Sequence, residues 1–273
     1  MSPDSVTGED GAGRSQLLAA LRADPPRTAI LSDVDGTLAP IVERPEQAMV
    51  PARAADLLRA LSERYGLVAC ISGRRALEAR RLVGVEGIAY AGNHGFELLL
   101  PGEETPSFDP TIDGRERQAT EFLADLDGEL EATGLRREDK GPIQALHWRG
   151  AADERAADAR AHEIAADAGR AGLEPRWGRK VLELRPVGGG GKDAAVAALL
   201  AGTAVSTAAY AGDDRTDLDA CRRLCELREE GRLTRTVCVG VLSPEGPPEL
   251  GEESDLTVEG PEGWLDLLAE LAA

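Results

Sequence analysis

The 273-residue sequence predicts an α/β protein with a doubly wound, mainly parallel sheet and a smaller α+β module inserted into it. Three observations carry this prediction. Five short runs are apolar throughout rather than alternating, as befits strands covered on both faces. Helical patterns separate these runs. One long middle stretch departs from the alternation, which then resumes.

The apolar runs are "TAILS" (28–32), "GLVACIS" (66–72), "GIAYAGN" (87–93), "TAAYAGDD" (207–214) and "TVCVGV" (236–241). Between the first two, "ARAADLLRALSERYG" (52–66) places Leu57, Leu58 and Leu61 on one helical face and stops at Gly66, a fitting C-cap. "KDAAVAALLAG" (192–202) and "DLDACRRLCELREEG" (217–231) have the same helical character. Residues 1–25 read as a tail with one short helix, "SQLLAALRAD". Together these elements describe a Rossmann-like core in two halves, 1–109 and 187–273.

Residues 110–186 form the interruption. A charged helical pattern, "DGRERQATEFLADLDGELEATG", leads into a strand-like stretch at 141–150. An alanine-rich helix at 153–169 and a second strand, "RKVLELRP" (179–186), follow. The order α–β–α–β, bounded by "PGEETPSFDP" and "PVGGGG", marks an inserted α+β cap with a glycine-rich exit.

Composition excludes several classes of function. With 42% hydrophobic and 29% charged residues the chain is globular. No apolar run reaches the ~18–20 residues that span a bilayer. The start "MSPDSVTGEDGAGRSQ" lacks the basic and apolar segments of a secretion signal, so the expected location is the cytoplasm. A net charge of −18 gives no basic footprint for nucleic acid. It also repels anions at long range, so a phosphate site must build its own positive field. Lysine occurs only three times, as Lys140, Lys180 and Lys192, against a background of arginine. Cys70, Cys221, Cys225 and Cys238 have no zinc-site spacing and read as structural.

In open α/β sheets, ligands bind at the carboxyl ends of the strands. Polar clusters recur there: Asp33, Asp35 and Thr37 after the first run, Ser72, Gly73 and Arg74 after the second, Asn93 and His94 after the third, and Asp213, Asp214 and Asp217 after a later one. Any one of them could be a turn. Recurrence at one end of successive strands is what the turn reading leaves unexplained. Asp33 and Asp35 stand two residues apart, and a hard cation shared with Asp213 would offset their repulsion. Mg²⁺, which favours a few carboxylates, waters and phosphate oxygens, suits such a rim. "GGGGKD" lacks the leading glycine and the Ser/Thr of a phosphate-binding P-loop, having Pro186 and Asp193 instead.

The ordered set "DVDGTL", "SGR", a lysine opening a helix and "GDDRTD" resembles the four motifs of the haloacid dehalogenase superfamily of phosphatases. The resemblance implies that Asp33 is a nucleophile that becomes an aspartyl-phosphate and Asp35 the general acid/base. It implies that Ser72 hydrogen-bonds the phosphoryl group and that Lys192 neutralises it. Mg²⁺ would lie between Asp33, Asp213 and the main-chain carbonyl of Asp35, with Asp217 or Asp214 completing its surroundings.

The position of the insert and the pieces "SDVDGTLAPI", "GNHGFE", "EDKGPIQALHWR" and "KVLELRP" are similar to the trehalose-6-phosphate phosphatase family. That likeness implies a cap that closes over the rim and reads sugar hydroxyls with Glu138, Lys140 and Glu183. It also implies functional pairing with a trehalose-6-phosphate synthase. A solvated charged face is the other reading of those three residues. His94 reads either as a substrate contact or as a loop-stabilising group, and Arg74 either as a phosphate contact or as a cap of the next helix. "DLDACRRL" carries Leu218 and Cys221 where the family has a glutamate and an aromatic residue, a difference on the helix behind the site. Rival functions are a phosphatase or mutase acting on sucrose phosphate, a phosphoglycerate glycoside or a hexose phosphate, and a catalytically idle sugar-phosphate-binding domain.

Overall fold

A computed structural model describes residues 9–42, 47–178, 180–244 and 246–273. The first eight residues of the expected tail and the opening Arg179 of the last cap strand lie outside this set. Two compact units form, one from the chain up to Ser107 together with Gly190–Ala273, the other from Phe108–Gly189.

In the larger unit the chain runs α1 (Glu9–Arg22), β1 (Thr28–Asp33), α2 (Ala52–Ser62), β2 (Leu67–Ile71), α3 (Ala76–Val83), β3 (Ala89–Gly92) and β4 (Glu97–Leu99), with β5 (Ser107–Phe108) at its boundary. After the second unit it resumes with α7 (Lys192–Leu200), β10 (Thr207–Gly212), α8 (Arg215–Glu229), β11 (Arg235–Leu242), α9 (Glu249–Glu253), β12 (Leu256–Glu259) and α10 (Gly260–Ala272), the numbers between belonging to the second unit. The sheet order is β12-β11-β10-β1-β2-β3-β4-β5. Strands from β12 to β3 are parallel, and β4 turns back antiparallel on β3.

Because β1 lies between β2 and β10, the strand order reverses around it. A crevice opens at such a point beyond the carboxyl ends of the strands. Alternate residues of β1 and β10 feed two cores. Ile30, Ala209 and Ala211 face α2, α3 and α10 with Leu58, Trp264 and Leu268. Ala29, Leu31, Ala208 and Tyr210 face α7 and α8 with Val196, Leu199 and Leu224. Double coverage of this kind accounts for the unbroken apolar runs, and each fully buried Leu contributes ~1.5–3 kcal/mol by its removal from water. Trp264 also donates from Nε1 to Ser32 Oγ at 3.0 Å, bracing the strand that carries Asp33.

The smaller unit comprises α4 (Gln118–Ala124), α5 (Asp127–Thr133), β6 (Arg136–Lys140), β7 (Ile143–His147), α6 (Glu154–Arg170), β8 (Leu173–Gly178) and β9 (Val181–Pro186). Its sheet is antiparallel in the order β6-β7-β9-β8. The single charged helix expected over 113–134 divides into α4 and α5 at Asp125 and Leu126. The sequence pattern shows only two of the four strands. The missed pair, "RREDK" and "LEPRWG", are the two edges, where charges and proline are tolerated because one side of the ladder is open.

All four cysteines are free thiols, with Cys70, Cys221 and Cys238 buried. Among the described residues, no helix is long and apolar enough to cross a membrane.

Candidate active site

Strand ends assemble the site in the larger unit. Asp33 closes β1, Ser72 follows β2, Asn93 and His94 follow β3, Asp213 follows β10, and Lys192 opens α7. Asp33, Ser72, Asn93, Lys192, Asp213 and Asp217 are all buried, as is the Thr37 side chain. So many buried polar groups need partners, since an unpaired one costs ~1–3 kcal/mol.

Lys192 is the hub. Its Nζ donates to Asp33 Oδ1 at 2.7 Å and to Asp217 Oδ1 at 2.6 Å, with Asp214 at 3.9 Å. Burial works against the ammonium, yet Asp33 and Asp217 outweigh it and hold Lys192 charged well above its usual range. Burial pushes the Asp33 carboxyl well up despite the opposing pull of Lys192. Asp213 is raised to about 6, by burial first and by the neighbouring Asp217 charge second.

Asp217 is fully engaged. Oδ1 accepts from Lys192 and from the Tyr210 hydroxyl, and Oδ2 accepts the backbone N–H groups of Asp213 and Asp214 at 3.0 and 2.9 Å. Asp214 caps α8, accepting from the N–H of Thr216 at 2.8 Å and of Asp217 at 3.1 Å. These two carboxylates shape the turn and the helix start. Asp213 accepts a 3.1 Å hydrogen bond from Thr37 Oγ1. Thr37, expected to meet substrate, thus has its hydroxyl turned to a carboxylate. Gly36, at φ +95°, lies against Asp213 so closely that a Cβ would overlap the carboxylate.

Oxygen atoms of Asp33, Asp213 and Asp217 lie within 4.8 Å of one another. Three buried carboxylates against one ammonium leave a net negative centre made of hard oxygen donors. That donor set fits a small divalent cation such as Mg²⁺.

A second cluster lies beside it. Asp35 is gripped by Arg74 through both oxygens. Ser72 Oγ accepts the Arg74 N–H at 3.1 Å, and the Asn93 N–H donates to the Arg74 carbonyl at 2.7 Å. Asn93 and His94 are both left-handed, with φ of 49° and 55°. The His94 ring lies against Gly73, which leaves no room for a Cβ there. The His94 carbonyl accepts from Gly191 N–H, tying this turn to the loop that delivers Lys192.

Glu97, present in the quoted motif but not singled out, is buried and accepts from the Ala76 N–H at 2.8 Å and Arg75 Nε at 3.3 Å. It ties β4 to the start of α3. Burial raises its carboxyl pKa above the usual carboxylate range, against the Ala76 and Arg75 hydrogen bonds. A carboxylate raised in the fold opposes folding above its unfolded-state value, and the penalty fades as pH falls below that value. The melting-temperature advantage of Glu97→Gln over the parent should therefore grow as pH rises from ~4 to 7. An advantage independent of pH would contradict this account.

In the smaller unit, β-sheet register puts Glu138 opposite Ala145 and Ala145 opposite Glu183. Glu138, Lys140 and Glu183 therefore share one face, with the α4 and α6 core packed on the other. Glu183 accepts from Lys140 Nζ at 3.2 Å and from Arg185 Nε at 3.2 Å. Glu138 is 2.7 Å from His147 Nε2, and that hydrogen bond holds its carboxyl below the usual range. His147 and Arg185 were not among the expected site residues. The alternation of β7 and β9, which puts them on the same face, is the signal that finds them.

The strand order, with the buried carboxylate cluster beyond the reversal at β1, gives a haloacid-dehalogenase-like α/β fold. A haloacid dehalogenase-like hydrolase from Bacteroides thetaiotaomicron shares the fold with TM-score 0.58 at 13% identity, over 89% of this chain and 98% of its own. The chain belongs to the trehalose-phosphatase family, whose model matches residues 31–241. A trehalose-phosphate phosphatase from Mycolicibacterium paratuberculosis is 35% identical over 208 residues, which is 70% of this chain and 50% of that protein. The C-terminal domain of trehalose-6-phosphate phosphatase from C. albicans superposes with TM-score 0.72 at 21% identity, covering 95% of this chain and 96% of its own, a likeness of fold. The chain spans half or less of the length of the first curated relatives it matches.

Proposed function

We propose that the protein is a Mg²⁺-dependent phosphatase that hydrolyses trehalose 6-phosphate to trehalose and phosphate through an aspartyl-phosphate on Asp33. The observation that best supports this is Lys192, a buried ammonium between Asp33 and Asp217, set among carboxylates in a chain of the trehalose-phosphatase family.

Asp33, held at Oδ1 by Lys192, attacks phosphorus with its other oxygen. The bond from phosphorus to the sugar oxygen breaks, and Asp35 gives that oxygen a proton. Asp35 then takes a proton from water as the water oxygen attacks phosphorus, breaking the bond to Asp33 and releasing phosphate. Ser72 orients the phosphoryl group and Lys192 neutralises its charge. Asp33 and Asp213, with the Asp35 carbonyl, would hold Mg²⁺, while Asp217 fixes Lys192 and the Asp213 turn from behind. When bound, the cation supplies charge neutralisation for the transferring phosphoryl group.

Selectivity rests on the smaller unit. Glu138, Lys140 and Glu183 offer two carboxylates and an ammonium at register-fixed spacing, a pattern able to read a polyol. A synthase that makes the ester is the functional partner this reading implies.

A panel of phosphorylated sugars assayed for released phosphate tests the reading. Trehalose 6-phosphate should exceed sucrose 6-phosphate and glucose 6-phosphate in kcat/KM, and chelation should abolish turnover. Glu183→Ala should lower kcat/KM for trehalose 6-phosphate by ~10–100-fold, in line with losing one or two polar sugar contacts, and spare an aryl phosphate. Equal rates across the panel would remove the trehalose assignment, and absence of any phosphate release would favour an idle binding domain.

A further inference from the structure

The two-pronged pair between Asp35 and Arg74 has a bearing on the reaction cycle. Arg74 Nε donates to Asp35 Oδ2 and Nη2 to Oδ1, each at 2.7 Å. The contact joins residues 39 apart in sequence, and both partners are set by their backbones. Arg74 is pinned by the Ser72 hydroxyl at its N–H and by the Asn93 N–H at its carbonyl. Asp35 sits in a tight turn in which the N–H groups of Leu38 and Ala39 both donate to the Val34 carbonyl, and Gly36 N–H donates to Ala39. Such a pair is built in, unlike the chance meeting of two surface chains.

A carboxylate whose two oxygens both accept from one guanidinium has neither oxygen free to meet a leaving group. Asp35 is therefore held away from its part in the reaction until at least one of those bonds opens. A guanidinium fork matches a phosphate as well as it matches a carboxylate. We propose that Arg74 is a positioning residue that latches Asp35 while the site is empty, and that a phosphate group releases the latch by taking the guanidinium for itself. Acid catalysis is thereby tied to arrival of the group to be cleaved, so a bare site with a nucleophile and water keeps its acid out of play. The latch rests on the reading of Asp35 as the general acid/base.

Inorganic phosphate is the probe, and its affinity in Mg²⁺ is measured calorimetrically for the parent, Asp35→Asn, Arg74→Ala and the double variant. Removing the Asp35 charge near an anion strengthens binding in any background, so the double-mutant cycle isolates the competition for Arg74. Asp35→Asn should tighten phosphate binding about tenfold with Arg74 present and by less than about threefold without it. Arg74→Ala alone should weaken binding, and Arg74→Lys, which keeps the charge and loses the fork, should fall between. If Arg74→Ala does not fold, the cycle is run with Arg74→Lys, where the coupling should shrink but keep its sign. Equal effects of Asp35→Asn in both backgrounds, or no phosphate binding in any of the four proteins, would overturn the latch. The functional reading fails separately: phosphate binding with intact coupling but no release from trehalose 6-phosphate removes that reading and leaves the latch standing.

Discussion

Asp33→Asn is expected to abolish phosphate release from trehalose 6-phosphate, by ~10³-fold or more, the scale seen when a nucleophile is removed from a cooperating set. The amide is nearly the same shape as the carboxylate, so the loss is chemical: the amide is a poor nucleophile towards phosphorus. Stability should hold or rise. The fold already disfavours the ionised Asp33, because burial drives its pKa upward with Asp213 and Asp217 close by. A neutral side chain therefore lifts a cost while giving up the Lys192 attraction. Turnover and thermal melting are read on the same preparation. Near-normal turnover would refute the mechanism, and a collapse in melting temperature would refute the electrostatic account of the centre.

Lys192→Met is expected to have the largest effect on stability. The lysine side chain is 3% exposed, Asp33 6% and Asp217 1%. Removing one member of a buried ionic set leaves the others as uncompensated charges, a loss of ~3–5 kcal/mol. Activity should fall as well, since the same ammonium faces the Asp33 oxygen. The two variants are coupled: with Asp33→Asn already present, Lys192→Met should cost measurably less, because one stranded charge has gone. Urea denaturation of the four proteins reads this directly. Strict additivity would mean that Lys192 and Asp33 do not act as a pair.

The core sheet was legible because burial on both faces writes strands as unbroken apolar runs, and the polar clusters at their ends were legible because chemistry needs residue types that strands otherwise avoid. Lys192 stood out for a compositional reason, as one of three lysines among many arginines. The burial of the hub was not legible: nothing in "GGGGKD" says that its lysine is enclosed by two aspartates. The division of labour within "GDDRTD" was also hidden. Which carboxylate faces the centre and which caps a helix depends on the turn after β10, where Asp217 folds back onto two N–H groups and meets Tyr210. The role of Glu97 is hidden in the sequence because a lone glutamate at a strand start looks like a surface residue. In the smaller unit, edge strands carry no apolar signature, so β6 read as a charged stretch although its register is what sets Glu138 and Lys140 on one face.

The most direct measurement is acid quench of the protein during turnover of trehalose 6-phosphate labelled with radioactive phosphorus, followed by borohydride reduction and peptide mapping. Reduction converts an aspartyl-phosphate to homoserine. The account predicts label on the protein and homoserine at position 33. Phosphate release with no labelled protein, or homoserine at any other aspartate, would contradict it.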